Sequence, residues 1–243
     1  MEVSIANVVV NTGNLVANMA NVEFKTTVKS IVWRLDRMKV VAINGSPNEK
    51  GNTYYALNSA LEELELEGFE TEILQIGKEK IVGCTGCGAC KNTNYCVFGD
   101  ETFKKACKTI SEADGILIGS PVYYAGIAGT LKSFLDRFFY ANKGDMRHKV
   151  GAAIAVSRRG GDMTTFDTIN KYFLISEMIV APSYYWNVIH GAAKGEVLQD
   201  AEGISTIKNL ARNMAWILKM KEATKDSITP PSQYPRERTN FIR

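Results

Sequence analysis

A chain of 243 residues, 45 % hydrophobic and 23 % charged, suits one globular domain with arms, or at most two small domains. A formal charge of +3 with interspersed signs excludes a dedicated nucleic-acid binder, though a modest basic balance can still attract phosphorylated cofactors. No apolar run spans a bilayer and residues 1–20 lack the marks of a signal peptide, so clustered cysteines here point to a reducing cytoplasm.

Residues 1–37 are the least legible stretch. Ile5 to Val10 reads as a strand and Gly13-Asn14 as a turn, while Val22 to Leu35 has no clean period. Either Met38 is the natural start and the leader a start-site error, or the extension packs on the surface or on a partner subunit. From Met38 the text changes. Lys39 to Ile43 is an apolar run of strand length, ended by Asn44-Gly45-Ser46-Pro47, and reads as the central strand of an α/β domain. A loop containing Ser46, Asn48, Gly51, Asn52 and Thr53 follows, then a helix to about Glu67. Free N–H groups at a helix start, with hydroxyls beside them, form an anion site. Asn52 stands where a Walker A loop needs lysine and there is no G-x-G-x-x-G, so a phosphate monoester such as that of FMN fits best. An N-capped helix without a ligand is the plain alternative.

Phe69 to Ile76 alternates as a second strand does. Then Cys84-Thr85-Gly86-Cys87-Gly88-Ala89-Cys90 and Cys96 place four of the five cysteines in one glycine-bearing loop, spaced C-x2-C-x2-C-x5-C. A cubane iron–sulfur cluster needs four such thiolates. Zinc more often takes separated pairs or histidines, and neither His148 nor His190 is near in sequence. A metal-free thiol loop is the third reading. Thr102 to Ser111 reads as a helix carrying Cys107 as a small core residue.

Gly115 to Gly119 is a buried parallel strand, and Ser120-Pro121-Val122-Tyr123-Tyr124-Ala125-Gly126 follows at its carboxyl end, where open α/β sheets bind ligands. Backbone amides and aromatic faces there can cradle a flat ring, although surface packing also explains the tyrosines. The helix from about Thr130 to Tyr140 has a broad apolar face, and Phe139 beside it hints at a subunit contact or at plain core packing. Val150 to Val156 is another apolar strand, ending in Ser157-Arg158-Arg159-Gly160-Gly161. The glycines allow close backbone approach, and the arginines either meet a nucleotide phosphate or are simply solvated. Residues 164–178 read as a helix, Ile179-Val180 with Tyr185 to Ile189 as a last strand, and Gly203 to Lys221 as a closing helix. Beyond Thr224 the chain is polar and Pro-rich, an arm whose apolar tip suggests docking.

Gly45-Ser46-Pro47 with Gly51-Asn52-Thr53, Ser120-Pro121-Val122-Tyr123, and Ser157 with Gly160-Gly161 together resemble the NAD(P)H-dependent FMN reductase branch of the flavodoxin-like fold. With Cys84, Cys87, Cys90 and Cys96 added, the set is similar to the iron–sulfur flavoproteins of anaerobic archaea and bacteria. The resemblance runs from Met38 to about Lys221. It implies a three-layer sandwich with a five-stranded parallel sheet over residues 38–222, between a 1–37 extension and a 223–243 arm, with the cysteine loop at 84–96. It implies FMN phosphate on Ser46, Asn48, Gly51, Asn52 and Thr53. Pro121, Val122, Tyr123 and Tyr124 would line the ribityl chain and ring, and Ser157, Gly160 and Gly161 would close over it. The four cysteines would hold a [4Fe–4S] cluster near a flavin, with electrons from NAD(P)H or a small ferredoxin-like carrier, in a homodimer or homotetramer. No side-chain acid or base is expected to be essential. The alternative is an NAD(P)H-dependent FMN or quinone reductase without a cluster.

Overall fold

The computed structural model describes residues 38–142 and 145–241; the strand expected at Ile5–Val10 and the rest of the extension lie outside them. Strand β1 (Lys39–Asn44) is buried from its second residue on. Its successive side chains point to opposite faces. Val40 and Ala42 enter one hydrophobic cluster and Val41 and Ile43 the other. A strand covered on both faces has to read as a continuous apolar run, and β3 (Gly115–Tyr123) and β5 (Val150–Ser157) do the same.

Parallel pairing gives the order β2-β1-β3-β5, with β2 at Glu70–Gln75. The fifth position is filled by two short pieces: β6 (Ile179–Val180) pairs with the start of β5 and β7 (Val188–His190) with its end. This is the expected five-position parallel sheet, in flavodoxin-like order. One face is covered by α1 (Asn52–Leu66) and α6 (Ala201–Thr224), which bury Leu57, Leu64, Leu210 and Met214 against it. The other face carries α3 (Glu101–Glu112), α4 (Gly129–Ala141) and α5 (Asp162–Ile175), with Ile110, Phe134, Phe138, Ile169 and Phe173 in that core. Asp100 caps α3, accepting from Phe103 N at 2.8 Å. Such a cap contributes about 1 kcal/mol.

The structure refines four points of detail. The strand expected to stop at Gly119 continues through Pro121 to Tyr123 and turns back into β4 (Gly126–Ile127). Pro121 is tolerated because its absent N–H falls on the β1 side, where β1 has already left the sheet at Gly45. The helix expected to reach residue 178 ends at Ile175, where Glu177 takes a left-handed φ of 55°. Phe139 is core: it is 3 % exposed and packs on Phe138, Tyr172 and Phe173. The cysteine loop contains a single helical turn, α2 (Cys90–Thr93), that its spacing did not announce. After α6 the described chain is exposed and without regular structure from residue 229 to 241, touching the body where Gln233 Nε2 donates to Glu177. Among the described residues no helix is long and apolar enough to cross a membrane.

Candidate functional site

The carboxyl ends of β1, β3 and β5 deliver three loops to one edge of the sheet, and each is fixed by its own bonds. In the loop after β1, Asn44 Oδ1 accepts from Ser46 N at 3.0 Å and Ser46 Oγ accepts from Asn48 N at 3.1 Å. Gln75 bridges the loop to β2: its Oε1 accepts from Asn44 Nδ2 at 2.7 Å and its Nε2 donates to Ser46 O at 2.7 Å. Gly77 lies flat on the turn, and a Cβ there would stand 2.2 Å from the Ser46 carbonyl carbon. Gly51 occupies the N-cap of α1 with no side chain capping that end, and Thr53 is buried in the first turn. The N-terminal amides of α1 therefore keep their positive end for an anion.

Asn52 does something other than the expected donation to a phosphate. Its Nδ2 donates to Ala193 O at 2.9 Å and its Oδ1 accepts from Gly195 N at 2.7 Å. The side chain clamps the start of α1 to a loop 140 residues downstream. That loop brings Lys194 to a cavity of about 360 Å³ lined also by Asn48, Glu49, Lys50, Gly51 and Asn52. Lys50 and Lys194 add cationic charge to the helix end. Lys194 is invisible as a site residue in sequence because the fold, through β7 and the Asn52 clamp, brings it here.

The second loop is a two-residue hairpin between β3 and β4. Ser120 Oγ accepts from Ala128 N at 3.1 Å and pins its base. Tyr124 and Ala125 form the tip with φ of 50° and 56°. Both central residues of such a turn need positive φ, normally supplied by glycine or asparagine. Tyr123 and Tyr124 stand exposed at the rim, with Pro121 and Val122 half-buried beneath. The third loop meets this tip: Gly161, at φ 85°, lies so close to Ala125 that a Cβ would reach its Cα at 2.8 Å. Gly160 is open, and Arg158 and Arg159 are exposed beside it. Ser157 is buried and donates to Asp162 Oδ2 at 3.1 Å. The same carboxylate oxygen is 3.1 Å from His190 Nε2, and Asp200 Oδ2 is 3.4 Å from His190 Nδ1. The two carboxylates hold the imidazole ring in one orientation at this edge. This chain of polar groups escaped sequence reading because its four members come from four separate places in the chain.

The cysteines form a separate place. Cys84, Cys87, Cys90 and Cys96 all border one cavity of about 210 Å³, with Val82, Val97, Phe98, Arg137 and Tyr140. Among the described residues no three His, Cys, Asp or Glu side chains are gathered tightly enough to hold a metal ion. Gly86 and Gly88 take φ of 70° and 74° between the cysteines, and a Cβ at either would meet nothing. Four soft thiols around one cavity, on a backbone with that freedom, fit a thiolate-bound group of cluster size. Arg137 closes the cavity floor. It is 5 % exposed, its Nε donates to Cys96 Sγ at 3.3 Å, its Nη1 donates to Val82 O at 3.2 Å, and its carbon Cζ lies 4.0 Å from the Phe103 ring centre. Cys107 sits half-buried in α3 outside the cavity, and burial pushes its thiol up to about 12, against the opposing pull of Arg137.

Residues 38–193 match the family model described as NADPH-dependent FMN reductase. The chain belongs to the NADPH-dependent FMN reductase family. Among its relatives, an iron–sulfur flavoprotein of Methanocaldococcus jannaschii is 38 % identical over 191 residues, covering 75 % of this chain and 98 % of that one. An iron–sulfur flavoprotein of Methanosarcina thermophila is 30 % identical over 195 residues, covering 78 % of this chain and all of the other. The solved structure of RosB with a bound riboflavin-5′-phosphate intermediate shares the fold at a TM-score of 0.62 and 14 % identity, covering 85 % of this chain and 94 % of that one. This member of the FMN reductase family is thus an oxidoreductase with a flavoprotein redox role. The family match covers all three loops of the sheet edge and the four cysteines.

Proposed function

We propose that this chain binds FMN at the sheet edge and passes electrons between that flavin, a nicotinamide donor and a [4Fe–4S] cluster held by Cys84, Cys87, Cys90 and Cys96. The observation that carries the reading is the single cavity bordered by all four cysteines on the same domain as the three-loop edge. FMN, when bound, takes two electrons as a hydride and returns them singly, while a cluster accepts one at a time, so the pair converts between donor types.

The protein's part is position and electrostatics. The α1 N-terminus with Lys50 and Lys194 would supply the positive charge for the phosphate and Ser46 a hydroxyl, and Asn52 holds Lys194 in place through its clamp on Ala193 and Gly195. The hairpin of Pro121 to Tyr124 would offer backbone and aromatic surface to a bound ring, and the third loop, packed on Ala125 through Gly161, would line the same crevice with Gly160. The contacts from Asp200 and Asp162 fix the His190 ring beside the edge, and the exposed Arg158 and Arg159 present charge to the phosphates of NADPH. From Gly129, at the hairpin, to Arg137, at the cysteines, α4 runs eight residues, which is about 12 Å. One helix thus links the hairpin to the cysteine cavity. A flavin on a second copy of this chain offers another route for the electron.

Iron, sulfide and flavin analysis of anaerobically purified protein tests the reading. About four iron and one FMN per chain are expected. FMN without iron, even after anaerobic reconstitution, would sink the cluster and leave an NADPH-dependent flavin or quinone reductase. That second reading draws on the open spacing of the thiols.

A further inference from the structure

Arg137 is a buried cation with an unfilled valence. Two of its three nitrogens are engaged, by Cys96 Sγ and the Val82 carbonyl, and the flat of the guanidinium stacks on Phe103. Its Nη2 is buried and has no hydrogen-bond partner. An unmet buried donor is costly on a neutral group and more so on a charged one. None of the three partners is a carboxylate, so the charge itself is also unbalanced where it sits. The side chain lines the cavity that all four cysteines border. An anion with sulfur acceptors at that place would answer both deficits at once. A four-thiolate iron–sulfur cluster is such an anion, and hydrogen bonds to its sulfurs raise its potential by stabilising the more negative reduced form.

We infer that Arg137 is the positioning residue of the cysteine centre. Its Nε–H fixes the Cys96 thiolate, its Nη1 anchors the start of the loop at Val82, and its Nη2 donates to a sulfur of the bound cluster. The inference rests on the cluster proposed above. It assigns a function to a residue of α4, more than forty positions from the last cysteine of the motif, and it explains why an arginine occupies the buried face between Phe134 and Phe138.

The test compares the full chain with R137K and R137M, each loaded anaerobically with iron and sulfide and titrated electrochemically under EPR. Methionine keeps the packing on Phe103 and removes every donor. Lysine keeps the charge and stem but lacks the planar fork that reaches three acceptors. The expected result is a roughly tenfold smaller reduced-to-oxidised ratio at fixed potential in R137M, a shift of about 59 mV to lower potential for a one-electron couple, and a smaller shift the same way in R137K. Iron-loaded R137M at the wild-type potential overturns the inference. If R137M retains flavin but no iron, R137K decides: a lowered potential supports the inference and an unchanged one overturns it. Loss of iron from both, with flavin content and melting temperature intact, supports the hold on Cys96. Isotopically labelled arginine adds a reading that needs no variant, because its nitrogen must couple to the reduced wild-type cluster; no coupling overturns the Nη2 assignment. A wild type that takes up no iron would instead sink the cluster reading itself, a result distinct from an iron-loaded protein indifferent to Arg137.

Discussion

The turn from Gly45 to Gly51 and the run from Gly83 to Cys87 both follow strands of the same sheet, yet one is built by the chain and the other is not. The first is held by Asn44, Gln75 and its own Ser46, and Gly77 is pressed against its backbone. The second is exposed throughout, and its clearest tether is the Val82 carbonyl on Arg137. A preformed loop meets its ligand with little left to order. Under the cluster proposal, a loop of exposed cysteines is ordered by what it takes up, so its fold and its loading are one equilibrium. Flavin binding should thus answer to the residues that brace the first loop, and metal loading to the cysteines and Arg137.

Serine at Cys84 or Cys87 sharpens this contrast most. Either variant should lose nearly all its iron while keeping wild-type flavin content; parallel loss of both cofactors would join the two regions into one unit. Gly77→Val is the converse. Its Cβ would collide with the Ser46 backbone, a clash of roughly 1–3 kcal/mol if the loop survives, so FMN affinity should fall by about five- to a hundredfold. Iron content per folded chain should not change, and fluorescence titration with FMN beside an iron assay reads both. Asn52→Ala comes next: losing the clamp on Ala193 and Gly195 should weaken FMN by about five- to tenfold, the equivalent of ~1 kcal/mol or slightly more. An unchanged affinity would remove Lys194 from the site.

How much of this was readable beforehand follows from the range of each interaction. The strands β1, β3 and β5 are buried on both faces, so their apolar runs identify them, and the amphipathic helices announce themselves by period. The split edge position was blurred because β6 and β7 are two and three residues long, too short for any pattern. The loops were legible as loops because glycine, serine and proline mark them. What could not be read was who holds them. Gln75 with Ser46, Asn52 with Gly195, and Arg137 with Cys96 are each joined only by the fold. For Arg137 one signal was present: it falls within the apolar stripe of Phe134, Phe138 and Ala141, where a charge needs a reason.

Two smaller effects test the exposed groups against the buried ones. Replacing Arg158 and Arg159 together by alanine should raise the KM for NADPH by about three- to tenfold with kcat nearly unchanged, and added salt should narrow the gap. Cys107 marks the opposite limit. Burial disfavours its thiolate and raises its pKa to about 12, so the thiol stays protonated up to strongly alkaline pH. In metal-free protein, iodoacetamide should modify Cys84 and Cys87, which are exposed, and leave Cys107 intact until the pH nears that value or the chain unfolds. Mass spectrometry of the peptides separates these outcomes.

The hairpin tip at Tyr124 and Ala125 leads to a different consequence. Left-handed backbone at two side-chain-bearing residues is disfavoured by about 1 kcal/mol or more each, and Asn-Gly would relieve it without altering the fold. A breeder selecting this protein for heat resistance alone would therefore arrive at that dipeptide early. The phenol at the crevice rim would vanish in the same step, so on the flavin site proposed above durability and turnover pull against each other at one position.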